Sequence, residues 1–562
     1  MADLVVVGSG VGGLVTALRA HALGLRPVVL EKSALVGGTT AWSGGAFWAP
    51  DNPVMRAHGV PDSAADAARY LAAVVGDDSS PDRQRAYVER AGETVAFLID
   101  AGIPFVHSEG TSDYYPEAPG GHVRGRTLHA EVFDTRELGA WERWFRPQKG
   151  GISQRIVLRS LAEAPPMTTA TRSLAAARVA TRVMARTLGA AATGKHLVGM
   201  GQALAARLVG AVVDRGIEIR RECPVTGLLT SSTGAVTGVV TAAGPLEARL
   251  GVVLAAGGYA RRAALRAEHR PGSSPDWSAV IDEDTGDLLD AATALGAATA
   301  LLDEAIWTPM SVPPDGVPIP HLWERSLPGS IIVDGTGRRF VNEATSYMAV
   351  GQAMFAREAI PGWLVFDATH RRRFPLGAAP PGLTPRSWLR SPDPAGPPYL
   401  HKARDLAGIA AATGIDVTGL RAEVKRFNAF AATGVDEDFG RGESHHDRIF
   451  SDPRTGPNPC LGPLATPPYY AVALYPGDVG TVGGLVTDAS ARVLRGDGSP
   501  VPGLYATGSS AATVLGRVYP ASGCSIGSAA VFGYLAAAHM AGSAGEELAH
   551  QVQETVGGDH GD

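Results

Sequence analysis

The sequence predicts an α/β protein of two units: a parallel-sheet unit assembled from both ends of the chain, and an α+β unit inserted between them. Three observations predict this. Residues 4–31 run as an apolar strand, a glycine turn, an apolar-periodic helix and a second strand that ends on an acid. Glycine-ended apolar strands of the same style return at Val252–Gly258 and Pro502–Gly508. From about residue 300 to 475, Pro and Trp become more frequent, loops lengthen and the strand–helix alternation fades, before a glycine-rich α/β style resumes near Gly480.

The first segment carries the strongest signal. Leu4-Val5-Val6-Val7 leads into glycines at positions 8, 10 and 13, the spacing G-x-G-x-x-G. Gly8 permits a tight turn, Gly10 lets backbone approach a pyrophosphate, and Gly13 lets the helix pack closely on the strand. Gly12 belongs to the same turn. The helix N-terminus offers free N–H groups and a partial positive charge to phosphates. Glu31 follows Gly13 by 18 residues, placed to accept from a ribose hydroxyl pair, with Lys32 beside it. Strand, helix, second strand and acid in this order point to a Rossmann-like dinucleotide site.

Composition narrows the field. With 562 residues, the chain is too long for one core. A net charge of −6 without a basic stripe argues against a nucleic-acid partner. The three cysteines, Cys223, Cys460 and Cys524, form no C-x-x-C, which argues against a disulfide framework or zinc site and fits a reducing compartment. The first strand is entered by Leu4, leaving no room for a signal peptide. A cytoplasmic location is the expectation. The uncharged run from Cys524 to Gly545 is long enough to span a bilayer, but its Gly and Ser content and its place after a glycine motif read as a buried helix.

Residues 60 to 105 read as helical. Residues 107 to 170, rich in Gly, Pro and aromatics, read as excursions over a surface. Helices are expected over 171 to 187 and 197 to 215, and strands over Val236–Val240 and Ala248–Leu254. No repeat or low-complexity tract is found. Two decoys are set aside. Gly189–Lys195 imitates a phosphate loop, but His196 replaces the required Ser or Thr and a helical run precedes it. Ser444-His445-His446-Asp447 reads as a solvated turn, and no metal site is expected.

Gly37-Gly38-Thr39-Thr40-Ala41-Trp42-Ser43-Gly44-Gly45 forms a second glycine loop soon after Glu31. Glycine pairs around small hydroxyl residues let backbone lie against a large planar group, which a flavin requires and a nicotinamide does not. The expected cofactor contacts are therefore Gly38, Thr39, Thr40, Ser43, Gly44 and Gly45, with Ala256 and Gly257, Gly508, and Ser525 and Ile526 at the start of the uncharged helix.

With these motifs in place, the chain resembles the 3-ketosteroid Δ1-dehydrogenases of the fumarate-reductase and succinate-dehydrogenase flavoprotein superfamily. Over nearly the whole length, the specific segments are Ser112-Asp113-Tyr114-Tyr115-Pro116-Glu117 and Tyr519-Pro520-Ala521-Ser522-Gly523; Gly337–Glu343, Val435–Glu443 and Gly483–Asp488 support them. Many members carry glycine or proline where this chain has Ala521 and Ser522. The resemblance implies a Rossmann-like FAD-binding domain, residues 1–306 and 476–562, split by an inserted α+β substrate (catalytic) domain, residues 307–475. It implies non-covalent FAD, since Thr39 to Gly45 holds no histidine to link it.

The same resemblance implies the chemistry. A ring ketone loses a proton from C2 and a hydride from C1, the hydride passing to flavin N5. Tyr519 and the N–H of Gly523 are implied to hold the ketone oxygen, Tyr347 to take the proton, and Tyr114 to support Tyr347. Tyr115 is the rival for that supporting role. A free tyrosine has a pKa near 10 and is a poor base at neutral pH, so a supporting donor is needed. Trp307, Met310 and Trp323 are expected to approach the pocket or fill the core. A steroid and a quinone-like or dye electron acceptor are the implied partners. Arg172, Arg178, Arg182 and Arg186 read as a solvated helix face and as a candidate for peripheral contact with anionic lipid. Three rivals stay open: Δ4-desaturation, another cyclic-ketone desaturase, and a non-catalytic flavin-binding protein. A dicarboxylate reductase is disfavoured, because no His/Arg clamp stands beside the glycine motifs.

Overall fold

The computed structural model describes residues 2–149, 156–377, 379–391 and 396–557, with side-chain environments through Ala544. Residues 150–155 of the expected surface excursion, and Gly545 at the end of the apolar run, lie outside the described environments.

Strand β1 (Leu4–Val7) is buried along its whole length. Helix α1 (Val11–Ala22) follows, and then β2 (Pro27–Leu30), paired parallel with β1 from Leu4↔Pro27 to Val7↔Leu30. Four successive apolar residues suit a parallel strand covered on both faces. Farther along, β3 (Ala46–Trp48), helix α2 (Leu174–Ala192), helix α3 (Met200–Asp214), β4 (Glu218–Arg220) and β5 (Val252–Leu254) form. Both expected helices are present, with α2 shifted a few residues toward the C-terminus.

The expected strand from Ala248 is shorter, beginning at Val252. Gly251 interrupts it with φ +119, and a Cβ there would fall 2.1 Å from the Gly503 carbonyl oxygen. The excursion after residue 107 is less superficial than expected. Thr127–Ala130 pairs with β3 on one side and with Phe105–His107 on the other. This small sheet draws Ser112, Asp113 and Tyr114 into the interior, at 0%, 0% and 8% exposure.

A second sheet is antiparallel. Strand β6 (Ala305–Ser311) pairs with the long β9 (Tyr469–Thr481), which pairs with β8 (Gly362–Asp367), and β8 with β7 (Ser330–Val333). Helix α4 (Tyr347–Ala356) lies against β6. The chain then returns to the first sheet through β10 (Arg492–Leu494) and β11 (Pro500–Ala506), completing the order β10-β11-β5-β1-β2-β4. Every pair in it is parallel except β10–β11. Separate apolar cores cover the two faces of the second sheet.

Helix α5 (Cys524–Gly557) closes the fold. Its Cys524–Ala544 part is long and apolar enough to cross a membrane, yet 72% of its most apolar window is buried within the protein. It crosses α1 at glycines: a Cβ on Gly533 would sit 2.6 Å from the Gly12 carbonyl. Gly13 meets the turn in the same way, its Cβ falling 2.1 Å from the Gly8 oxygen.

Two buried ion clusters brace the loops between the sheets. Arg126 binds Asp113 at 2.6 Å and Asp62 at 2.8 Å. Arg339 binds Glu343 at 2.7 Å and Asp436 at 2.8 Å, and Arg441 reaches Glu343 at 3.2 Å, all with side chains fully buried. Glu343 also accepts the Ile332 N–H at 3.1 Å. Burial works to raise the Glu343 pKa, but Arg339 and Arg441 outweigh it and hold the carboxyl below its ordinary 4.5. Removing one partner of such a cluster leaves buried charge uncompensated. Glu343→Gln is expected to cost about 3–5 kcal/mol, read as a lower urea midpoint. A depressed carboxylate stabilises the fold above its unfolded pKa and loses that contribution as pH falls through the folded one. The wild-type advantage over Glu343→Gln therefore stays full above the ordinary value of 4.5 and shrinks in acid below it.

Candidate active site

A long cleft runs along the C-terminal ends of β1, β2, β5 and β11. Fourteen of the residues expected to touch a cofactor line it: Gly8, Gly10, Gly12, Glu31, Lys32, Gly38, Thr39, Thr40, Ser43, Ala256, Gly257, Gly508, Ser525 and Ile526. Gly13, Gly44 and Gly45 stand outside. Gly13 serves helix–turn packing, and Gly45, at φ +63, makes room for the start of α3, its Cβ falling 2.2 Å from the Gly201 nitrogen.

The backbone is built for close approach. Gly8 has φ +110, and a Cβ there would overlap the Ala255 carbonyl at 2.2 Å. The start of α1 faces the cleft, with the Val11 N–H donating to Thr40 Oγ1 at 3.0 Å. Glu31 is fixed by the Ser9 hydroxyl at 2.6 Å, the Ser9 N–H at 3.1 Å and the Ser33 N–H at 2.9 Å. Lys32 Nζ donates to Thr285 Oγ1 at 2.5 Å and to Asp287 at 2.7 Å, at the cleft rim.

The sequence reading missed the wall from Val280 to Leu288. Its Asp284 is buried, and Oδ1 has no partner among the described residues. Burial, then the Asp478 charge, pushes its pKa up to about 7. The run Asp282-Glu283-Asp284-Thr285-Gly286-Asp287 was the available signal: acids flanking a Thr-Gly turn before a helix. A glycine cradle, a helix N-terminus, a fixed acid after β2 and a buried polar group without a partner together fit a dinucleotide with a flavin.

Beside this cleft, joined to it where Tyr519 bonds the cleft residue Ser525, the three expected phenols meet. Ring centroids of Tyr114 and Tyr347 are 5.7 Å apart, Tyr347 and Tyr519 5.4 Å, and Tyr114 and Tyr519 6.1 Å. Different segments deliver each one. Tyr114 follows Asp113, whose carboxylate takes Arg126, the Trp48 indole at 2.8 Å and the His122 N–H at 3.1 Å. Tyr347 is the first residue of α4, four after Glu343. Tyr519 and Gly523 come from the loop before α5, tied to Tyr114 because the Tyr114 N–H donates to the Pro520 carbonyl at 2.7 Å.

Tyr519 shares a 2.9 Å hydrogen bond with Ser525 Oγ, and Tyr114 shares one of 2.9 Å with Ser522 Oγ. Gly523, at φ +94, presses against Ala46, where a Cβ would lie 2.4 Å from the carbonyl carbon. Its carbonyl accepts from the Trp48 N–H, while its own N–H has no partner among the described residues. Burial first, then the neighbouring phenols, raises the Tyr347 pKa well above its ordinary 10.0. Burial also raises Tyr519. Tyr115 makes no ring contact with these phenols among the described residues; its N–H donates to the Tyr70 hydroxyl oxygen at 3.3 Å, and burial raises its own phenol pKa above the ordinary 10.0.

A cavity opens beside the phenols, lined by Tyr114, Tyr347, Ser522, Leu161, Pro165, Leu322, Trp323, Ile449 and Phe450, with Thr111, Arg325 and His446 as polar members. Trp323 stacks on Phe450 at 5.4 Å. Trp307 instead joins the core, packed on Phe355 at 4.6 Å with its indole donating to Glu304, and Met310 is buried in β6. The segment read as a solvated turn, Ser444–Asp447, folds over this cavity. Glu117 pins it by accepting from the Ser444 hydroxyl at 3.0 Å and the His445 N–H at 2.8 Å, which sets the His446 ring 4.4 Å from Tyr114. The glycine motifs lack a His/Arg pair, but the fold brings Arg325 and His446 to the cavity from distant segments.

The family of FAD binding domains matches residues 3–526. A 3-oxosteroid 1-dehydrogenase of Mycobacterium tuberculosis is 40% identical over 97% of this chain and 99% of its own. A 4-oxocyclohexanecarboxylate 2-dehydrogenase of Sinomonas cyclohexanicum is 35% identical over 96% of this chain and 93% of its own. The crystal structure of the 3-ketosteroid Δ1-dehydrogenase from Sterolibacterium denitrificans, bound to 1,4-androstadiene-3,17-dione, superposes with a TM-score of 0.89 at 35% identity, covering 96% of this chain and 99% of that one. With an FAD-type cleft and near full-length likeness, the chain belongs to the FAD-binding flavoprotein family that includes the 3-ketosteroid Δ1-dehydrogenases.

Proposed function

We propose that the chain is an FAD-dependent oxidoreductase that introduces the 1,2 double bond into 3-ketosteroids. The observation that carries this reading is the meeting of Tyr114, Tyr347 and Tyr519 beside a flavin-type cleft, with Tyr519 bonded to its Ser525 and the free N–H of Gly523 in the same loop. We assign the parallel sheet to the FAD domain, residues 1–306 and 476–562, and residues 307–475 to an inserted substrate domain. Gly8, Gly10, Gly12 and the start of α1 would hold the pyrophosphate, Glu31 the ribose, and the starts of the 38–43 loop and of α5 the ring system. When bound, FAD supplies the hydride acceptor, and a quinone-like oxidant would recover the electrons.

The chain's own groups do the rest. Tyr519 Oη and the Gly523 N–H form a donor pair for the ketone oxygen, which makes the neighbouring C–H more acidic as negative charge builds on that oxygen. Tyr347 takes the C2 proton. Because burial keeps its phenol protonated near neutral pH, Tyr347 must pass its proton on as it accepts the new one. Tyr114 and Ser522 provide the next two oxygens of that path, from which the proton leaves to solvent water. The apolar walls at Leu161, Leu322, Trp323 and Phe450 fit a flat hydrocarbon skeleton and keep bulk water from the reacting carbons.

The lipid expectation narrows to fewer charges. Arg172 is taken by Asp452 at 2.9 Å and Arg186 by Glu163 at 2.7 Å. Arg178 and Arg182 stay exposed on α2 beside Leu174, Met184 and Leu188, which are 80%, 38% and 61% exposed. We retain this face as the candidate contact with anionic lipid.

Anaerobic addition of androst-4-ene-3,17-dione is expected to bleach the oxidised flavin band and give the 1,4-diene; an intact band would end this reading, and a new double bond elsewhere would move the activity to another position. Tyr347→Phe is expected to keep FAD and substrate binding while kcat falls by about 10²–10⁴. In the wild type kcat/KM should show no ionisation of Tyr347 through the neutral range, since its phenol pKa lies well above its ordinary value and the relay begins and ends with a protonated phenol; a rise with pH across that range would point to a phenolate base instead. Ser522→Ala should lower kcat by about tenfold with KM little changed, the weight of one hydrogen bond that strengthens as the proton moves. Steady-state kinetics with an artificial acceptor checks each outcome.

A further inference from the structure

The cavity beside the phenols contains one feature that desaturation of a neutral ketone does not use. Arg325 is 2% exposed, and it is one of the largest fully buried side chains among the described residues. Two of its three guanidinium nitrogens are spoken for by main chain: Nε donates to the His321 carbonyl at 3.1 Å, and Nη1 donates to the Glu343 carbonyl. Nη2 has no hydrogen-bond partner among the described residues, and the side chain borders the cavity that also holds Tyr114 and Tyr347.

No carboxylate among the described residues lies within 4.0 Å of this cation, in contrast to the buried Arg126 and Arg339, which each hold two. Two acids act on it from farther away, and Glu324 Oε2 is itself buried without a hydrogen-bond partner among the described residues. Asp447 accepts from Asn342 Nδ2 at 2.9 Å and from the Gly442 N–H at 2.8 Å, and Glu324 Oε1 accepts the Gly377 N–H at 2.9 Å. Burial lowers the Arg325 pKa to about 10, so it stays charged at neutral pH. His446, on the same wall, is held neutral by burial and then by the Arg325 charge, and so does not compete for an anion. A buried guanidinium with one donor open to the cavity is completed when an acceptor enters there alongside the apolar walls. Its planar fork suits a carboxylate.

We propose that Arg325 is a carboxylate-binding site within the substrate cavity, and that the preferred substrates are cyclic ketones carrying an acid group in addition to the reacting ketone. The apolar walls take the ring skeleton and Arg325 takes the acid. This inference rests on the ring-ketone reading above and narrows its substrate class. The Sinomonas relative, named for an oxocyclohexanecarboxylate, shows that the family's frame admits such acids; Arg325 is the group in this chain that would hold one.

The test uses the FAD-loaded enzyme, an artificial electron acceptor and two acid–amide pairs of different reach: 3-oxoandrost-4-ene-17β-carboxylate with its carboxamide, and 4-oxocyclohexanecarboxylate with its carboxamide. In one of the two ring systems the acid is expected to exceed its amide in kcat/KM by about 10- to 100-fold, mainly through KM, the range of a charged hydrogen-bonded contact. Which pair shows it distinguishes a steroid acid from a monocyclic one. Arg325→Gln should bring acid and amide to parity, and Arg325→Lys should keep part of the difference. Since Arg325 also supports two main-chain carbonyls, the wild-type acid–amide comparison decides the matter even if the variants fold poorly. Acids no better than their amides in both systems, with androst-4-ene-3,17-dione still oxidised, would overturn the proposal alone. If no ketone, acid or neutral, is oxidised, the ring-ketone reading falls and this inference with it.

Discussion

Two of the three phenols of the inner site hang from buried carboxylates that arginine neutralises. Glu343 is the clearest instance. Its carboxylate takes Arg339, Arg441 and the Ile332 N–H, its carbonyl takes Arg325, and the chain emerging from it delivers Tyr347 four residues later at the start of α4. Asp113 does the same for Tyr114 from the other side, fixed by Arg126, Trp48 and His122. Loops that meet between two sheets have few backbone partners of their own. Buried ion pairs add little net stability compared with apolar packing, but they set position tightly, because any displacement strands charge in a low-dielectric interior. Here that stringency is used to place two phenols from distant segments within 6 Å of each other, with ring centroids 5.7 Å apart.

The cofactor cleft is held by the opposite device, the absence of side chains. Gly8, Gly12, Gly13 and Gly533 allow turn, helix and second helix to touch at distances that a Cβ would forbid. The gain is a helix start aimed at the cleft, its Val11 N–H held by Thr40 and its glycines leaving the backbone open to a ligand. The cost is a wall with few side chains of its own, and the wall from Val280 to Leu288 makes up for it with Asp284 and the Thr285-Gly286-Asp287 turn. Lys32, bonded to both Thr285 and Asp287, links that wall to the end of β2.

What the sequence disclosed follows the range of each interaction. The βαβ unit was legible because strand, turn, helix and acid are contiguous, and the element bounds at Leu4–Leu30 follow the apolar pattern closely. Tyr114, Tyr347, Tyr519 and Gly523 were legible only through resemblance, since nothing local distinguishes a phenol in a cavity from one in a core. Trp307 shows the point: its indole satisfies Glu304 within its own strand region and never reaches the cavity. His446 errs the other way. A polar Ser-His-His-Asp run looks solvated, but Glu117, more than 300 residues away in sequence, captures it and turns the ring onto Tyr114. Arg325 is invisible for the same reason. Its meaning lies in the carboxylate it lacks, which only the assembled interior reveals.

Burial gives the site its difficulty as well as its order. A cavity dry enough for a hydrocarbon ring pushes the Tyr347 phenol away from ionisation, so a resting phenolate is the wrong picture of the base. In the proposed mechanism a phenol exchanges protons within a short chain of hydroxyls while the ketone oxygen, held between Tyr519 and Gly523, takes up the charge. That division explains why the supporting phenol and the oxygen-binding loop are fastened together by the Tyr114 N–H to Pro520 carbonyl bond and by the Tyr114–Ser522 hydroxyl pair. A shift of one would misplace the proton path and the oxygen grip together, and the two must act in the same step. In that proposed mechanism the loop from Tyr519 to Gly523 would be the mechanical link between acidifying the substrate and removing its proton.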